Sequence, residues 1–300
     1  MTRLSEHQIC QKLSAAVTDA VQSTALWTSL LGRRGPTTYH SLQDFRERVP
    51  YVDKRVLFDR TRGQMTDGLR GGDLSKVQQV IPSSGTGGDS LGMSFLAREE
   101  LGALAVRIDR YLDEAFGVSE LSTLILSALP GGVSIPSGQH LSIYSGVRPD
   151  LALRMLERLG DQYAQIVIVA EPFFAKHLLE YLHARAYPLR RKRIHLVVGG
   201  YYLPENLRDY LAWLLGIRPD AADESQRILS TFGMGEVGLN LMAETPQTVA
   251  LRRYLRDRPL LVARLCGADL PTAPMIFTHD PDRVYIEVEN QRLIFTMLEL

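Results

Sequence analysis

The chain has 300 residues, of which 45% are hydrophobic, and its 34 lysines and arginines balance its 34 aspartates and glutamates. This length suits one large domain or two smaller ones, and zero net charge gives no reason to expect binding to nucleic acid or to a membrane. Cys10 and Cys266 lie far apart and form no disulfide or metal-binding pattern, which favours a reducing compartment. The charged N-terminus resembles no signal peptide, and no stretch approaches the length of about 18 apolar residues needed to span a bilayer. We therefore expect a soluble, cytoplasmic protein.

The pattern of the first third of the chain predicts two helices, with irregular structure and a glycine-rich loop between them. Apolar residues recur every three or four positions from Ser5 to about Leu31, which is typical of a helix. The chain from there to about residue 76 is polar and irregular, with breakers at RRGP and GLRGGD. A short apolar run, VQQVI, then precedes the loop SSGTGG, and residues 99–116 predict an amphipathic helix.

Apolar runs alternate with helical patterns in the rest of the chain. Strands are predicted over residues 122–129, 165–170, 193–200 and 227–233. Helices are predicted to begin at Pro172 and near Pro204, and the final segments RVYIEVEN and RLIFTMLEL predict a hairpin that turns at Asn290-Gln291. This alternation is typical of an α/β fold with largely parallel central strands.

Three glycine-bearing loops directly follow predicted strands, at residues 83–88, 199–200 and 233–238. In open α/β sheets, ligands bind beyond the carboxyl ends of the strands. We therefore predict that these loops converge on one site in a continuous α/β core, residues 79–300. A helical and irregular lead-in, residues 1–78, is predicted to pack on this core.

The first of these loops, SSGTGG at residues 83–88, has the composition of a phosphate-binding loop. Glycines allow successive main-chain N–H groups to point into one concavity, and hydroxyl groups add donors to phosphate oxygens. The alternative is a solvated surface loop. The loop is not a Walker A motif, because it contains no lysine, and it does not match the dinucleotide-binding fingerprint.

The other two loops carry an acidic residue and several aromatic residues. Glu236 lies between glycines in TFGMGEVG, four residues after Phe232. A carboxylate near a phosphate site is a natural Mg²⁺ ligand, although each residue alone is more simply explained as a surface glutamate or a core phenylalanine. Gly199, Gly200 and Tyr201 lie between a predicted strand and helix, where glycines let a planar ligand approach the main chain. Such turns are common, so this third signal is weak.

In this order, the segments SSGTGG, GGYYLPENLR and TFGMGEVG resemble the adenylate-forming superfamily, whose members activate carboxylic acids with ATP. The likeness is greatest to phenylacetate-CoA ligases and to the acyl-protein synthetases of bacterial luminescence, and it covers residues 40–300. The resemblance implies the large N-terminal domain of these enzymes, in which layered, mostly parallel sheets are flanked by helices. It also implies a small carboxylic acid as substrate and a thiol acceptor, which is CoA or a cysteine of a carrier protein or enzyme.

The resemblance assigns roles to individual residues. The loop that holds the β- and γ-phosphates of ATP matches Ser83, Ser84, Gly85, Thr86 and Gly87. The segment that lines the adenine matches Gly199, Gly200 and Tyr201, with Phe232 in place of the usual tyrosine and Gly233 after it. Glu236 matches the catalytic glutamate that binds Mg²⁺.

The sequence also departs from the family pattern. Asp89 stands where the phosphate loop usually continues with lysine, and Gly235 replaces the threonine before the glutamate. The family's ribose-binding aspartate and its C-terminal lid domain, with a catalytic lysine, have no counterpart before the end of the sequence; a fragment and a naturally lidless form both explain this. Two functions stay open: an acid-activating ligase, or a catalytically weakened nucleotide- or acyl-binding module. The candidate protein partners are a separate chain that bears the lid and a second copy of this chain in a homodimer.

Overall fold

The computed structural model describes residues 4–32, 38–53, 57–58, 65–82, 92–217, 227–235, 237–267, 270 and 272–298. The chain divides into two compact units: the first comprises Met1–Arg98, Met234–Gly238 and His279–Leu300, and the second comprises Glu99–Gly233 and Leu239–Thr278. The whole predicted lead-in, residues 1–78, falls in the first unit, and the domain boundary after residue 78 stays a prediction. No helix in the described ranges is long and apolar enough to cross a bilayer.

The described residues contain helices in all four segments for which the sequence predicts them, together with four helices that the sequence analysis does not predict. In chain order, these helices are α1 (Glu6–Ser23), α2 (Ala25–Leu31), α3 (Leu42–Arg48), α4 (Arg98–Phe116), α5 (Pro149–Leu159), α6 (Pro172–Ala184), α7 (Glu205–Leu215), α8 (Pro246–Arg256) and α9 (Pro259–Cys266). The predicted helix 5–31 is divided at Thr24, which is extended and whose side chain accepts a hydrogen bond from the main chain of Trp27 at 3.3 Å. Thr24 therefore ends α1 and caps α2, because a threonine oxygen satisfies an N–H group that has no partner within the new helix.

In the part of the chain that the structure describes, the strands form one large sheet and two ribbons. They are β1 (Val77–Pro82), β2 (Met93–Ala97), β3 (Thr123–Ala128), β4 (Leu141–Tyr144), β5 (Gln165–Ala170), β6 (Arg193–Gly199), β7 (Ile228–Met234), β8 (Gly238–Ala243), β9 (Thr278–His279), β10 (Val284–Glu289) and β11 (Arg292–Met297). The large sheet has the order β4-β3-β5-β6-β7-β8-β9, and its first five strands pair in parallel. β1 pairs with β2, and β10 with β11, in antiparallel ribbons.

The second unit contains a core on both faces of the parallel sheet. Every residue of β3 and β5 is buried, as expected for central strands that are covered on both faces. On one face, Leu126, Ile168 and Leu196 belong to a cluster of buried residues that includes side chains of α5, α6 and α7. On the strand β6, His195 stacks on Phe116 of α4, with ring centroids 4.6 Å apart. The predicted parallel core is thus confirmed.

The first unit has its own smaller core. Leu13 and Val17 of α1 pack in a buried cluster with Tyr39, Phe45 and Leu298. The rings of Tyr39 and Phe45 meet edge to face, with centroids 5.1 Å apart. The first and last parts of the chain therefore share one core.

Two sequence-based expectations about the region before α4 are wrong. The irregular segment 32–76 contains a helix, α3, which begins at the capping residue Ser41. The glycine-rich loop leads into the strand β2 before α4 begins, and β1 pairs with β2 outside the parallel sheet. The rule on the carboxyl ends of parallel strands therefore does not apply to the loop at 83–88, which lies outside the described residues.

Candidate functional site

A cavity of about 440 Å³ lies in the second unit at the carboxyl ends of β6 and β7. Its walls come from the turn after β6, from β7 and from the segment before β9. The lining residues are Gly200, Tyr201, Tyr202, Ser230, Thr231, Phe232, Gly233, Leu270, Thr272, Pro274, Met275 and Phe277. These segments meet because β6 and β7 are parallel neighbours, with Gly199 paired to Thr231. The position agrees with the general rule for ligand sites in α/β sheets.

The structure brings together four of the residues that the sequence predicts for the site. Gly200 and Tyr201 line the same cavity as Phe232 and Gly233, although about 30 positions separate the two pairs in the chain. Gly199 directly precedes this wall. Of the remaining predicted residues, Ser83, Ser84, Gly85, Thr86, Gly87 and Glu236 lie outside the described residues. Their roles, and their approach to this cavity, stay predictions.

Gly199, the last residue of β6, and Gly200, the first residue of the turn, are glycines for different reasons. A Cβ atom at Gly199 would lie 3.2 Å from Thr231 Oγ1 and 3.3 Å from the Thr231 carbonyl oxygen. Gly200 has a φ of +89°, and a Cβ atom there would lie 3.4 Å from Glu171 Oε1. Other residues rarely adopt this φ, so a side chain at position 200 is strained. The glycines therefore keep the main chain bare beside the cavity.

Aromatic rings form much of the cavity surface. Phe232 and Phe277 lie on different segments, with ring centroids 6.4 Å apart and planes inclined by 51°. The Tyr202 hydroxyl donates to the Ala273 carbonyl at 3.2 Å, and the Arg252 guanidinium lies 5.0 Å from the Tyr202 ring centre. Tyr201 is half-exposed beside the cavity. Flat ligands stack on such rings, which carry large apolar faces and a polar edge.

Ser230 is the lining residue of greatest chemical interest that the sequence reasoning missed. Its side chain is 1% exposed, and its hydroxyl has no hydrogen-bond partner. A buried hydroxyl without a partner costs about 1–3 kcal/mol, which a ligand with a polar edge offsets. Side chains alternate between the two faces of β7, so Ser230 lies on the same face as Phe232. This two-residue alternation, counted back from Phe232, could have identified Ser230 as a candidate site residue.

The segment from Leu270 to Phe277, which also lines the cavity, was missed as well, because no local motif distinguishes it.

Near the cavity, burial raises the pKa of Glu171, the residue that follows β5 and lies against Gly200. Within the described ranges, no group of three or more histidine, cysteine, aspartate or glutamate side chains is arranged to hold a metal ion. The cavity therefore offers stacking surfaces and a few polar groups, as small-molecule sites do.

No protein-family model matches this sequence, and no curated protein matches it. Among solved structures, the chain is similar to an open conformation of 2-hydroxyisobutyryl-CoA ligase in complex with 2-HIB-AMP and CoA. The TM-score is 0.66 and the sequence identity 17%, and the match covers 98% of this chain and 65% of that chain. AtGH3.15 acyl acid amido synthetase in complex with 2,4-DB also matches, over 70% of this chain and 36% of that chain, at 14% identity. Its TM-score of 0.33 is too low to indicate a shared fold.

This chain spans less than two thirds of the length of the ligase, and at 17% identity the likeness concerns the fold alone. The phenylacetate-CoA ligase and acyl-protein synthetase branch stays a prediction. The predicted α/β fold class is confirmed: the chain shares the fold of this ligase over 98% of its own length, with a mostly parallel sheet flanked by helices.

Proposed function

We propose that this protein binds ATP in the cavity beyond β6 and β7 and activates a carboxylic acid as its acyl-adenylate. The observation that carries the proposal is the cavity itself, with a volume of about 440 Å³, aromatic walls and the unpartnered hydroxyl of Ser230. Small-molecule sites typically have volumes of about 300–1,000 Å³ and combine apolar walls with few polar groups. An adenosine moiety, with a flat base and a polar edge, suits this surface.

The base is placed on the ring of Phe232, with its edge toward Ser230. The alternation of side chains along β7 places Ser230 and Phe232 on the same face of the strand. Gly200, which follows the neighbouring strand β6, lines the same cavity without a side chain and so leaves the main chain open to a flat ligand. The match of Gly200, Tyr201 and Phe232 to the adenine-lining segments of the resembled family supports this placement.

The proposed reaction begins when a substrate carboxylate oxygen attacks the α-phosphorus of ATP in line with the leaving group. A new carboxylate–phosphorus bond forms, the bond from the α-phosphorus to the bridging oxygen breaks, and pyrophosphate leaves with the electron pair. A thiolate of CoA, or of a carrier or enzyme cysteine, then attacks the acyl carbonyl, and AMP leaves. Such a site accelerates the first step by orienting the reactants and stabilising charge on the phosphate oxygens.

The phosphate loop, with Ser83, Ser84, Gly85, Thr86 and Gly87, is proposed to hold the β- and γ-phosphates through main-chain N–H groups and hydroxyls. Glu236 is proposed as the protein's ligand to Mg²⁺, together with phosphate oxygens, which is how nucleotide-bound Mg²⁺ usually binds. When bound, the ion neutralises charge on the triphosphate. This assignment needs no cluster of acidic residues, since the phosphate oxygens of the nucleotide and water supply most of the ligands of the Mg²⁺ ion.

A second candidate function is a nucleotide- or acyl-binding module with weakened catalysis. Asp89 and Gly235 favour it, because they replace a lysine and a threonine that contact phosphate in the resembled family. A carboxylate at position 89 repels the triphosphate, and a lost hydrogen bond to a charged group weakens binding by about 1.5–3 kcal/mol. The two functions differ in one measurable property, the formation of pyrophosphate.

The experiment that separates them measures ATP–pyrophosphate exchange with Mg²⁺ across aryl, fatty, hydroxy and amino acids. Acid-dependent exchange is expected for at least one acid class, and ATP binding without exchange favours the weakened module. Phe232→Ala is expected to weaken ATP binding about tenfold, because the stacking surface is lost. Tyr254→Ala removes an exposed aromatic side chain elsewhere in the second unit and serves as the control. Absence of ATP binding by the unaltered protein would reject the ligase and the nucleotide-binding form of the module.

A further inference from the structure

Four charged side chains are buried together behind the cavity, in the second unit. They are Glu205, Arg208, Glu244 and Arg252, and none is more than 6% exposed. Arg208 bridges the two carboxylates: its Nη2 donates to both oxygens of Glu244 at 2.8 Å, and its Nε donates to Glu205 Oε1 at 3.1 Å. Arg252 Nη1 donates to the same oxygen of Glu205 at 2.8 Å. Arg253, which is partly exposed, also donates from Nε to Glu205 Oε2 at 3.2 Å, so three cations surround the two carboxylates.

Glu244 connects this cluster directly to the cavity. The Ser230 N–H donates to Glu244 Oε2 at 2.8 Å, and the Glu244 N–H donates to the Ser230 carbonyl oxygen at 2.8 Å. Both main-chain polar groups of Ser230 are therefore held by one residue. Arg208 adds a hydrogen bond from Nη1 to the Ile228 carbonyl, two residues earlier on β7. Ser230 is one of the residues that line the cavity, and its hydroxyl is buried without a hydrogen-bond partner.

This arrangement has a physical reason beyond stability. Buried ion pairs are weak sources of stability, because removing two charges from water offsets most of their attraction. A hydroxyl buried without a partner adds a further cost. The charged cluster contacts the cavity lining through the main chain of Ser230, the residue that also carries the unpartnered hydroxyl. The geometry favours a role for the cluster in fixing the orientation of the Ser230 side chain for a ligand.

We propose that Glu244 is a positioning residue, which holds the main chain of Ser230 so that the Ser230 hydroxyl meets the polar edge of the bound base. Arg208 acts through Glu244 by fixing the direction of its carboxylate. This inference rests on the proposed binding of ATP in the cavity. It assigns no chemical step to Glu244, which does not line the cavity.

The test is a double-mutant cycle with Ser230→Ala, Glu244→Gln and the double variant. Dissociation constants for ATP and adenosine are measured by calorimetry, and unfolding is measured in urea. Ser230→Ala is expected to raise both dissociation constants about three- to tenfold, as the loss of one hydrogen bond implies. Glu244→Gln is expected to raise them by a similar factor and to lower the unfolding midpoint. In the double variant, the Ser230 substitution is expected to add nothing to the binding loss.

A purely structural role for Glu244 predicts a different result. In that case Glu244→Gln lowers the unfolding midpoint, leaves the dissociation constants unchanged well below that midpoint, and does not alter the effect of Ser230→Ala. Independent sites give additive effects, so additive binding losses also reject the inference. Asp109→Asn is the matched control, because Asp109 is another buried carboxylate that accepts a main-chain N–H, from Gly138 at 2.8 Å. This control is expected to lower stability and to change ATP binding less than twofold.

If Glu244→Gln fails to fold, Glu244→Asp replaces it. This variant keeps the buried charge but withdraws the carboxylate from Ser230 by one methylene, so the dissociation constants are again expected to rise several-fold. Unchanged constants in Glu244→Asp overturn the inference. If the unaltered protein binds neither ATP nor adenosine, the proposed function fails and the inference with it; if it binds them and the cycle is additive, only the inference fails.

Discussion

His195 shows how a single buried residue responds to its surroundings. Its side chain is fully buried on β6, and its Nε2 lies 3.2 Å from Gln165 Oε1 while its Nδ1 accepts from the Arg227 N–H at 3.3 Å. These partners require a neutral ring with the proton on Nε2. Burial, assisted by the charges of Arg193 and Arg227, lowers the pKa of His195 to about 3.

This environment predicts a loss of stability in acid. In the unfolded chain His195 has an ordinary pKa near 6.5 and binds a proton below that pH, whereas the folded protein does not until about pH 3. The stabilisation is therefore complete above pH 6.5 and declines as the pH falls toward 3, by up to about 1.4 kcal/mol per pH unit.

The measurement is the free energy of unfolding in urea between pH 7 and pH 5, for the unaltered protein and for His195→Gln. The variant is expected to be less stable at pH 7 but to lose about 2 kcal/mol less over this range. His177→Gln, at an exposed position of α6, is the control and should follow the unaltered protein. Parallel pH profiles for the unaltered protein and His195→Gln would contradict the prediction.

The hairpin of β10 and β11 shows what is decided at the scale of an element. The strands pair from Val284 with Met297 to Glu289 with Arg292, and Asn290 and Gln291 form the connection. Both residues have positive φ, of 48° and 62°, as the two-residue turns that match the twist of antiparallel strands require. The predicted turn at these two residues is confirmed. Asparagine tolerates this conformation well, whereas glutamine does not.

Gln291→Gly is therefore expected to stabilise the protein by about 1 kcal/mol, because glycine adopts the left-handed conformation without steric cost. The gain is measured as a shift of the urea unfolding midpoint at unchanged slope. Glu289→Gly is the matched control. It places glycine in the adjoining extended strand, where the substitution is expected to be destabilising. A stability loss with Gln291→Gly would contradict the strain argument.

At the scale of the whole molecule, the charge balance is the dominant property. The 34 basic and 34 acidic residues give an isoelectric point near 7.1. A protein without net charge lacks the self-repulsion that keeps molecules apart in solution. Solubility is therefore set by pH more strongly here than in a highly charged protein.

We expect solubility to pass through a minimum close to pH 7 and to rise toward pH 6 and pH 8.5 in low salt, measured by precipitation with polyethylene glycol. Salt is expected to reduce the dependence, because it screens the charges. Arg191→Glu changes the net charge by two at an exposed position, and it should move the minimum to lower pH. A minimum that stays in place would show that an apolar surface, and not net charge, controls association.

Much of the fold followed from local patterns. Buried runs such as QIVIVA identified β5, and the apolar spacing between residues 99 and 116 identified α4, because each pattern reflects one element's own contact with a core. The break at Thr24 and the short helix α3 were missed, since hydrogen bonds of a single capping side chain decide them. The strand β2 was missed because its residues gain burial and hydrogen bonds only through pairing with β1.

The sequence by itself determined the alternation of strands and helices, the glycines at positions 199 and 200, and the aromatic Phe232 near the end of a predicted strand. It did not identify the main-chain partners of Ser230, because Glu244 and Arg208 belong to other segments and approach β7 only in the folded chain. The wall from Leu270 to Phe277 has no local signature either, and it lines the cavity only because tertiary packing brings it there. Local periodicity records which face of an element is buried, whereas a cavity depends on contacts between segments far apart in the chain, and these only the tertiary structure decided.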